Sequence, residues 1–171
     1  MPYSAKSIAN FFLELAQQEG SLVTPMKLQK LVYYAHGWYA GHTGKPLIDE
    51  TIEAWQYGPV IESLYHEFKR YGAQPIKSLA TELDPADFEL AVVPSPSEES
   101  VRKFLTSVWT SYSKFTGIAL SQMTHAAGSP WDIAWKDGGG IKGKDIPQEL
   151  ITSHFQDAVA KAKARQQQGG A

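Results

Sequence analysis

Apolar residues recur at helical spacing in several separate stretches of the chain, and this pattern limits the fold more than any other feature. The first stretch places them at i, i+3, i+4 and i+7: Ile8, Phe11, Phe12 and Leu15. This spacing is typical of one buried face of an amphipathic helix. Ser4 precedes the stripe and Gly20 follows it, and both are suitable capping residues. The pattern therefore predicts a helix between them.

Two further helix starts combine a hydroxyl cap with proline at the first helical position, Thr24-Pro25 and Ser129-Pro130. Proline is favoured there because its fixed φ suits the first turn and its missing N–H has no helical acceptor. Apolar residues keep helical spacing over 97–113 and 147–165, and a shorter helix is predicted over 118–127.

Strand signals are short and few. Residues 51–57 (TIEAWQY) are predicted to form a strand with Trp55 and Tyr57 on one face, and 88–93 a second strand. Gly58-Pro59 is expected to open another helix. Its inner stripe is predicted to be Ile61, Leu64, Tyr65 and Phe68. The fold class that follows is mainly α (α+β), a single compact helical domain of about five to six helices with a few short strands.

Length and composition exclude several classes of protein. The 171 residues correspond to one domain, since domains usually have about 100–200 residues. The chain has no cysteine, which excludes a disulfide framework, a thiolate nucleophile and a cysteine-ligated metal. No apolar run approaches the roughly 20 residues that span a bilayer, and the N-terminus does not resemble a signal peptide. We expect a cytoplasmic protein, with a domain over 1–160 and, over 161–171, the end of the last helix and a flexible polar tail.

The net charge of −2 conceals an uneven distribution of charge. Residues 78–101 contain six carboxylates and no basic side chain, whereas residues 102–171 contain nine basic and five acidic side chains. The near-neutral total argues against a protein that wraps nucleic acid through bulk charge. It leaves open charge-steered docking of either segment on a partner of opposite sign.

Candidate catalytic and metal-binding motifs are incomplete. The segment 138–144 (GGGIKGK) matches a phosphate-binding loop, but Asp145 stands where Ser or Thr must hold Mg²⁺. His36 and His42 lie six residues apart, and His66-Glu67 lacks the second histidine of a zinc motif. The sequence therefore predicts no catalytic residue, no metal and no cofactor.

Aromatic residues cluster more than the core of one helix needs. Four of them fall within seven residues, and neighbours such as Tyr33 and Tyr34 point about 100° apart on a helix, so at least one should lie at a surface boundary. Large amphipathic rings at a boundary are typical anchors of protein–protein contacts. The predicted partner interface consists of Lys27, Lys30, Tyr33, Tyr34, Trp38, Trp55, Tyr57 and Arg70.

Three motifs taken together resemble a known family. They are L-Q-K-L-x-Y-Y at 28–34, E-A-W-x-Y-G-P at 53–59 and T-H-x(4)-P-W at 124–131. The combination resembles the Panacea domain, the SocA-like or phage-associated (GepA-like) family, over about residues 4–158. We expect these motifs to fix the fold and the partner-specific surface to lie at other positions. The residues expected to have structural roles are Thr24, Pro25, Leu28, Leu31, Gly58, Pro59, His125, Pro130 and Trp131.

Within these motifs, Gly58 avoids a Cβ at a chain corner and Pro59 fixes φ there. His125 is expected to hydrogen-bond a backbone carbonyl near Pro130.

The resemblance implies an antitoxin of a bacterial or prophage toxin–antitoxin system that binds a cognate protein toxin, without enzymatic activity or cofactor. A second possibility is an adaptor that delivers the toxin to a ClpXP-type AAA+ protease. An enzyme using the histidines and carboxylates of 49–67 is a third possibility. The fourth is a nucleic-acid binder using the basic residues of 161–165, although the overall charge argues against it.

Overall fold

A computed structural model describes residues 2–169. It contains the helices α1 (Ala5–Glu19), α2 (Pro25–Thr43), α3 (Glu62–Phe68), α4 (Glu99–Tyr112), α5 (Gly117–Thr124), α6 (Pro130–Asp137) and α7 (Gln148–Gly169). A 3-10 turn, Lys69–Tyr71, continues α3. The strands are β1 (Glu53–Trp55), β2 (Gly58–Val60), β3 (Thr81–Leu83), β4 (Leu90–Val92) and β5 (Lys144–Asp145). The predicted mainly helical fold with short strands is confirmed, but this part of the chain has seven α-helices instead of five to six.

The predicted helix starts are formed by their capping side chains. The hydroxyls of Ser4, Thr24 and Ser129 each accept a hydrogen bond from the backbone N–H three residues later, at 3.1 to 3.3 Å. Gly20 ends α1 in the left-handed conformation, with φ of 70°. Side-chain capping and a left-handed glycine satisfy backbone groups that helix ends leave without partners. The last helix extends to Gly169, and the final part of the predicted tail, residues 170–171, lies outside the described residues.

Helix α2 is the centre of the domain, since α1, α3, α4, α5, α7 and strand β2 all pack against it. Twelve of its nineteen residues are buried. Two glycines allow α7 to pack closely on it. A Cβ at Gly37 would lie 2.2 Å from the ring of Phe155, and a Cβ at Gly41 would lie 2.7 Å from the Phe155 backbone. A larger residue at Gly37 would have to displace the Phe155 ring, and one at Gly41 would have to displace the backbone of α7.

The segment that follows β1 corrects the sequence prediction. Gly58 and Pro59 do not open a helix but belong to β2, which pairs with β1 in an antiparallel hairpin with Trp55 opposite Gly58. Gly58 has φ of 115°, which no helix contains. Tyr57 therefore lies in the two-residue turn and does not share a strand face with Trp55. β5 pairs with the other edge of β1.

A second hairpin, β3–β4, is joined at its base to α1 and α3. Its base is held by Asn10 of α1, which is fully buried. The Asn10 side chain donates to the carbonyls of Ala80 and Val93 at 3.0 and 2.8 Å and accepts from the Ala80 N–H at 2.7 Å. One amide group thus satisfies three backbone groups, which fixes where the hairpin leaves the domain. The predicted strand over 88–93 corresponds to β4.

Within residues 2–169, no helix combines the length and the apolar character that a membrane span requires.

The close packing of α7 on α2 gives a stability prediction. Gly→Ala inside a helix normally stabilises it by about 0.5–1 kcal/mol, but both glycines face α7. We expect Gly37→Ala and Gly41→Ala each to lower the free energy of unfolding by about 1–3 kcal/mol, because the added methyl group overpacks the contact. Equilibrium urea unfolding measures this change.

A Phe155→Ala background separates the two positions. Removing the ring gives the methyl group at position 37 room, so Gly37→Ala should become neutral or stabilising there. The methyl group at position 41 meets backbone atoms, so Gly41→Ala should remain destabilising. Equal behaviour of the two glycine variants in both backgrounds would contradict the packing described.

Candidate functional site

A large concave surface lies between the start of α2, the β1–β2 hairpin, α3 and the loop after α6. It encloses about 610 Å³, within the range of ligand-binding clefts. We call it the aromatic groove, and the residues that characterise it are Met26, Lys30, Trp55, Tyr57, Tyr65, Lys69, Trp135 and Lys142.

The aromatic side chains of the groove are unusually accessible. Tyr57 is 61% exposed and Tyr65 is 40% exposed, while Trp55 is half-buried. The Trp55 and Tyr65 rings meet edge to face with centroids 4.8 Å apart. The hairpin is held in place by Trp131, whose indole N–H donates to the Trp55 carbonyl at 2.6 Å. The groove therefore presents rings on a fixed support, an arrangement suited to binding another surface.

Lys142 closes one side of the groove. Its ammonium nitrogen lies 3.7 Å from the centroid of the Trp55 ring and 5.6 Å from that of Tyr65, which is cation–π geometry. The loop that carries Lys142 contains Gly139, Gly140 and Gly143, all at positive φ. The loop follows α6 and leads into β5, whereas a phosphate-binding loop follows a strand and opens a helix. The segment 138–144, which matches a phosphate-binding loop in sequence, thus places the Lys142 ammonium over the aromatic rings.

Lys30 lies at the floor of the groove and is 2% exposed. Its ammonium nitrogen donates to the Pro59 carbonyl at 3.0 Å, and no carboxylate of the described chain lies within ion-pair distance of it. Burial lowers the pKa of Lys30 to about 7, because a low-dielectric environment disfavours the charged form. A Cβ at Gly58 would lie 2.8 Å from the Lys30 Cε, so only glycine fits beside this side chain.

The charged side chains that line the groove are all basic. Lys30, Lys69 and Lys142 line it, and no carboxylate is among its lining residues in the described part of the chain. Lys69 and Lys142 are exposed. The groove can therefore accept an apolar side chain between its rings and an acidic group near its lysines.

The structure divides the residues predicted to form a partner interface. Lys30, Trp55 and Tyr57 come together in the aromatic groove. Tyr33 and Tyr34 are only 3% and 8% exposed, and with the half-buried Trp38 they pack around the Phe155 ring of α7 at centroid distances of 5.4 to 6.3 Å. Burial raises the pKa of both tyrosines. These three side chains leave little area for a partner, because α7 covers this side of α2.

Lys27 and Arg70 lie outside the groove. The Lys27 ammonium donates to the Ser113 carbonyl at the end of α4, and burial lowers its pKa. Arg70 lies over the Tyr71 ring at 4.9 Å and donates to the Ser78 hydroxyl at 3.0 Å. Both side chains therefore make contacts within the folded chain.

The family-motif residues occupy the scaffold around the groove. Thr24 and Pro25 begin α2, Leu28 and Leu31 are in the core, and Pro130 and Trp131 are buried at the start of α6. His125 differs from the expectation. Its buried Nε2 has no hydrogen-bond partner in the described structure, and its ring lies against Trp131 with centroids 4.0 Å apart. Burial and the nearby Lys30 lower the pKa of His125, which favours a neutral ring that packs.

Five residues that characterise the groove were not predicted from the sequence: Met26, Tyr65, Lys69, Trp135 and Lys142. Tyr65 was predicted on the inner stripe of α3, but it lies at the boundary beside the buried Leu64. The sequence predicts a strand over 51–57 and places Gly58 and Pro59 at the start of the next helix, whereas these two residues belong to β2. Tyr65 lies beside this hairpin with its ring against Trp55. No signal in the sequence links Lys142 to Trp55, because the two are 87 residues apart and meet only in the folded chain.

His36 has a structural role in the interior of the domain. His36 of α2 is fully buried; its Nε2 lies 2.7 Å from the Gln148 amide oxygen, and its Nδ1 accepts the Ile48 N–H at 3.3 Å. Burial lowers its pKa, so the ring joins α2 to α7 as a neutral group. Over residues 2–169, no three His, Asp or Glu side chains converge as a metal site would require.

Comparisons with known proteins agree with the motif resemblance. The family model described as Antitoxin SocA-like, Panacea domain, matches residues 28–132. The chain is 30% identical over 129 residues to Antitoxin SocA of Caulobacter vibrioides (strain NA1000 / CB15N), an alignment that covers 75% of this chain and 69% of that protein. No solved structure matches the chain significantly. The matched range includes Lys30, Trp55, Tyr57 and Tyr65 of the groove.

Lys30 gives a prediction about pH. An unfolded chain keeps this side chain protonated up to its ordinary pKa of 10.5, whereas the folded protein keeps it protonated only below about pH 7. Between these values the unfolded state binds more protons, so the contribution of Lys30 makes the free energy of unfolding rise with pH. We expect wild type to gain stability from pH 7 to 9 relative to Lys30→Met, by about 1 kcal/mol per pH unit.

Chemical denaturation of both proteins in the same buffers measures this difference. Lys27 also titrates with a lowered pKa, but it is present in both proteins and cancels in the comparison. Stability curves that stay parallel from pH 7 to 9 would show that Lys30 keeps its ordinary pKa in the folded state.

Proposed function

Because this chain belongs to the SocA-like antitoxin family of Panacea domains, we propose that it neutralises a cognate protein toxin in the cytoplasm by binding it directly. We propose the aromatic groove as the binding surface. The action is stoichiometric, since it occludes a surface of the toxin without a catalytic step.

The observation that carries this proposal is the exposure of Tyr57 and Tyr65 beside the half-buried Trp55. A soluble domain normally buries rings of this size, and exposed aromatic residues on a rigid support mark protein–protein contact sites. The rings are held by the Trp131 hydrogen bond and by α3, so binding requires little ordering of the antitoxin. Low ordering cost favours tight association.

The charge of the groove specifies the kind of toxin segment that fits. With three lysines and no carboxylate among its described lining residues, the groove matches a segment that combines a large apolar side chain with an acidic group. Complementary charge raises the association rate and suppresses wrong partners.

A co-expression experiment tests the proposal. The protein is produced together with the toxin encoded beside it, and growth rescue and the dissociation constant of the purified pair are measured. We expect wild type to rescue growth, and Tyr57→Ala with Tyr65→Ala to weaken binding by about 30-fold or more, as expected for the loss of interface anchors. Ile118→Ala is the matched control, because Ile118 is 68% exposed and lies outside the groove.

Several outcomes would contradict the proposal. Absence of both complex and rescue would reject the antitoxin role for that pair, and full rescue by the double tyrosine variant would reject the groove as the binding surface. The half-life of the toxin is measured in the same cells. Occlusion leaves it unchanged or longer, so a shorter half-life would exclude simple occlusion as the mechanism.

A further inference from the structure

The hairpin formed by β3 and β4 carries an exposed apolar face. Leu83, Phe88, Leu90 and Val92 are 56%, 74%, 72% and 53% exposed. Leu83 pairs with Leu90, and Val92 pairs with Thr81 two residues further along. The side chains of Leu83, Leu90 and Val92 therefore lie on one face of the two-stranded sheet, and Phe88 lies in the loop that joins the strands. We call residues 81–92 the acidic hairpin. Contiguous exposed apolar side chains of this kind mark an interaction surface.

Phe88 occupies a position that local structure disfavours. Its φ is 58°, in the left-handed region that glycine or asparagine normally occupies in hairpin loops. The Phe88 N–H donates to the Asp84 carbonyl at 2.7 Å and closes the turn. Neither backbone preference nor packing within the chain explains a phenylalanine here, since its ring is 74% exposed. The ring is therefore available to a surface outside the molecule.

The base of the acidic hairpin is fixed while its tip is free. Besides the Asn10 contacts, the Lys6 ammonium donates to the Thr81 carbonyl at 2.9 Å, and the Thr81 N–H donates to Glu67 at 3.0 Å. Lys6 and Glu67 also form an ion pair at 3.3 Å. None of the hairpin residues is among those that line the aromatic groove, so the tip and the groove of one molecule are separate surfaces.

The charges of these two surfaces are opposite. The acidic hairpin contains Glu82, Asp84, Asp87 and Glu89 and no basic residue. The groove contains three lysines and no carboxylate within the described chain. Among residues 2–169, neither the hairpin carboxylates nor the groove lysines take part in an ion pair. An acidic tip with an exposed ring thus complements a basic groove lined with rings.

We propose that the acidic hairpin of one molecule docks in the aromatic groove of a second copy, so that the protein associates with itself. Phe88 enters between the groove rings, and the flanking carboxylates approach Lys69 and Lys142. The complementary charges select this contact over contact between two hairpins or two grooves, where like charges would meet. One consequence rests on the proposed function: self-association and toxin binding occupy the same groove and exclude each other.

Sedimentation velocity of the purified protein at low salt, over a range of concentrations, tests the proposal without any toxin. We expect wild type to shift reversibly from monomer to larger species as concentration rises. Phe88→Asn should weaken this association by about tenfold or more, because the anchoring ring is lost. Asparagine tolerates the left-handed conformation, so this variant should fold at least as well, which thermal unfolding checks. Leu22→Asn is the matched control, since Leu22 is 72% exposed and outside both surfaces.

A charge exchange tests the pairing of the two surfaces. Glu89→Lys and Lys69→Glu should each weaken association, because like charges then meet, and the combined variant should recover part of it. Added salt should weaken the wild-type association, because exposed charges are screened.

Wild type that remains monomeric at every concentration would overturn the proposal, and so would association that Phe88→Asn and Glu89→Lys both leave unchanged. Neither result bears on toxin neutralisation, which growth rescue measures separately.

Discussion

The structure depends on the burial of α2, because a helix with most of its residues buried must satisfy its buried polar side chains through its neighbours. Unpaired polar groups in the interior are costly, so each one requires a partner at a defined position. Gln29 accepts the Ile61 N–H at 2.9 Å and donates to the Ile61 carbonyl at 3.0 Å, which fixes the junction of β2 and α3. Lys30 binds the carbonyl of Pro59 and fixes β2. His36 joins α2 to α7 through the Gln148 amide oxygen, and to the segment before β1 through the Ile48 N–H.

These contacts give the family motif two roles. The sequence predicts that the motifs mark the fold and that the partner surface lies elsewhere. In the structure, Gln29 and Lys30 hold the hairpin from below, while Trp55 and Tyr57 of the second motif face outward in the groove. The residues that stabilise the β1–β2 hairpin are thus next to those that the proposed function assigns to the toxin. A scaffold of this kind keeps the position of the groove constant. The rim of the groove includes Lys69 and Lys142, which lie on a short turn and on a glycine-rich loop.

The parts of the fold that were predictable from the sequence are those that local interactions determine. Ser4, Thr24 and Ser129 could be identified as caps because the acceptor and the N–H that it binds are three residues apart. The β1–β2 hairpin could not be identified, since Gly-Pro is compatible with both a helix start and a strand, and only the pairing with β1 decides between them. The burial of Tyr33 and Tyr34 could not be predicted from the sequence either. It depends on α7, which is more than 110 residues away in the sequence and approaches because Gly37 and Gly41 leave room.

The contact between Gly58 and Lys30 has a consequence for how such chains can diverge. A side chain at position 58 would meet the Lys30 Cε at 2.8 Å and the Thr124 hydroxyl at 2.7 Å, so three positions from three different elements share one small volume. A substitution at any one of them restricts which substitutions are tolerated at the other two. Positions 30, 58 and 124 therefore form a coupled set across which substitutions have to be correlated, and an alignment of relatives would record the groove floor as covariation among these three columns.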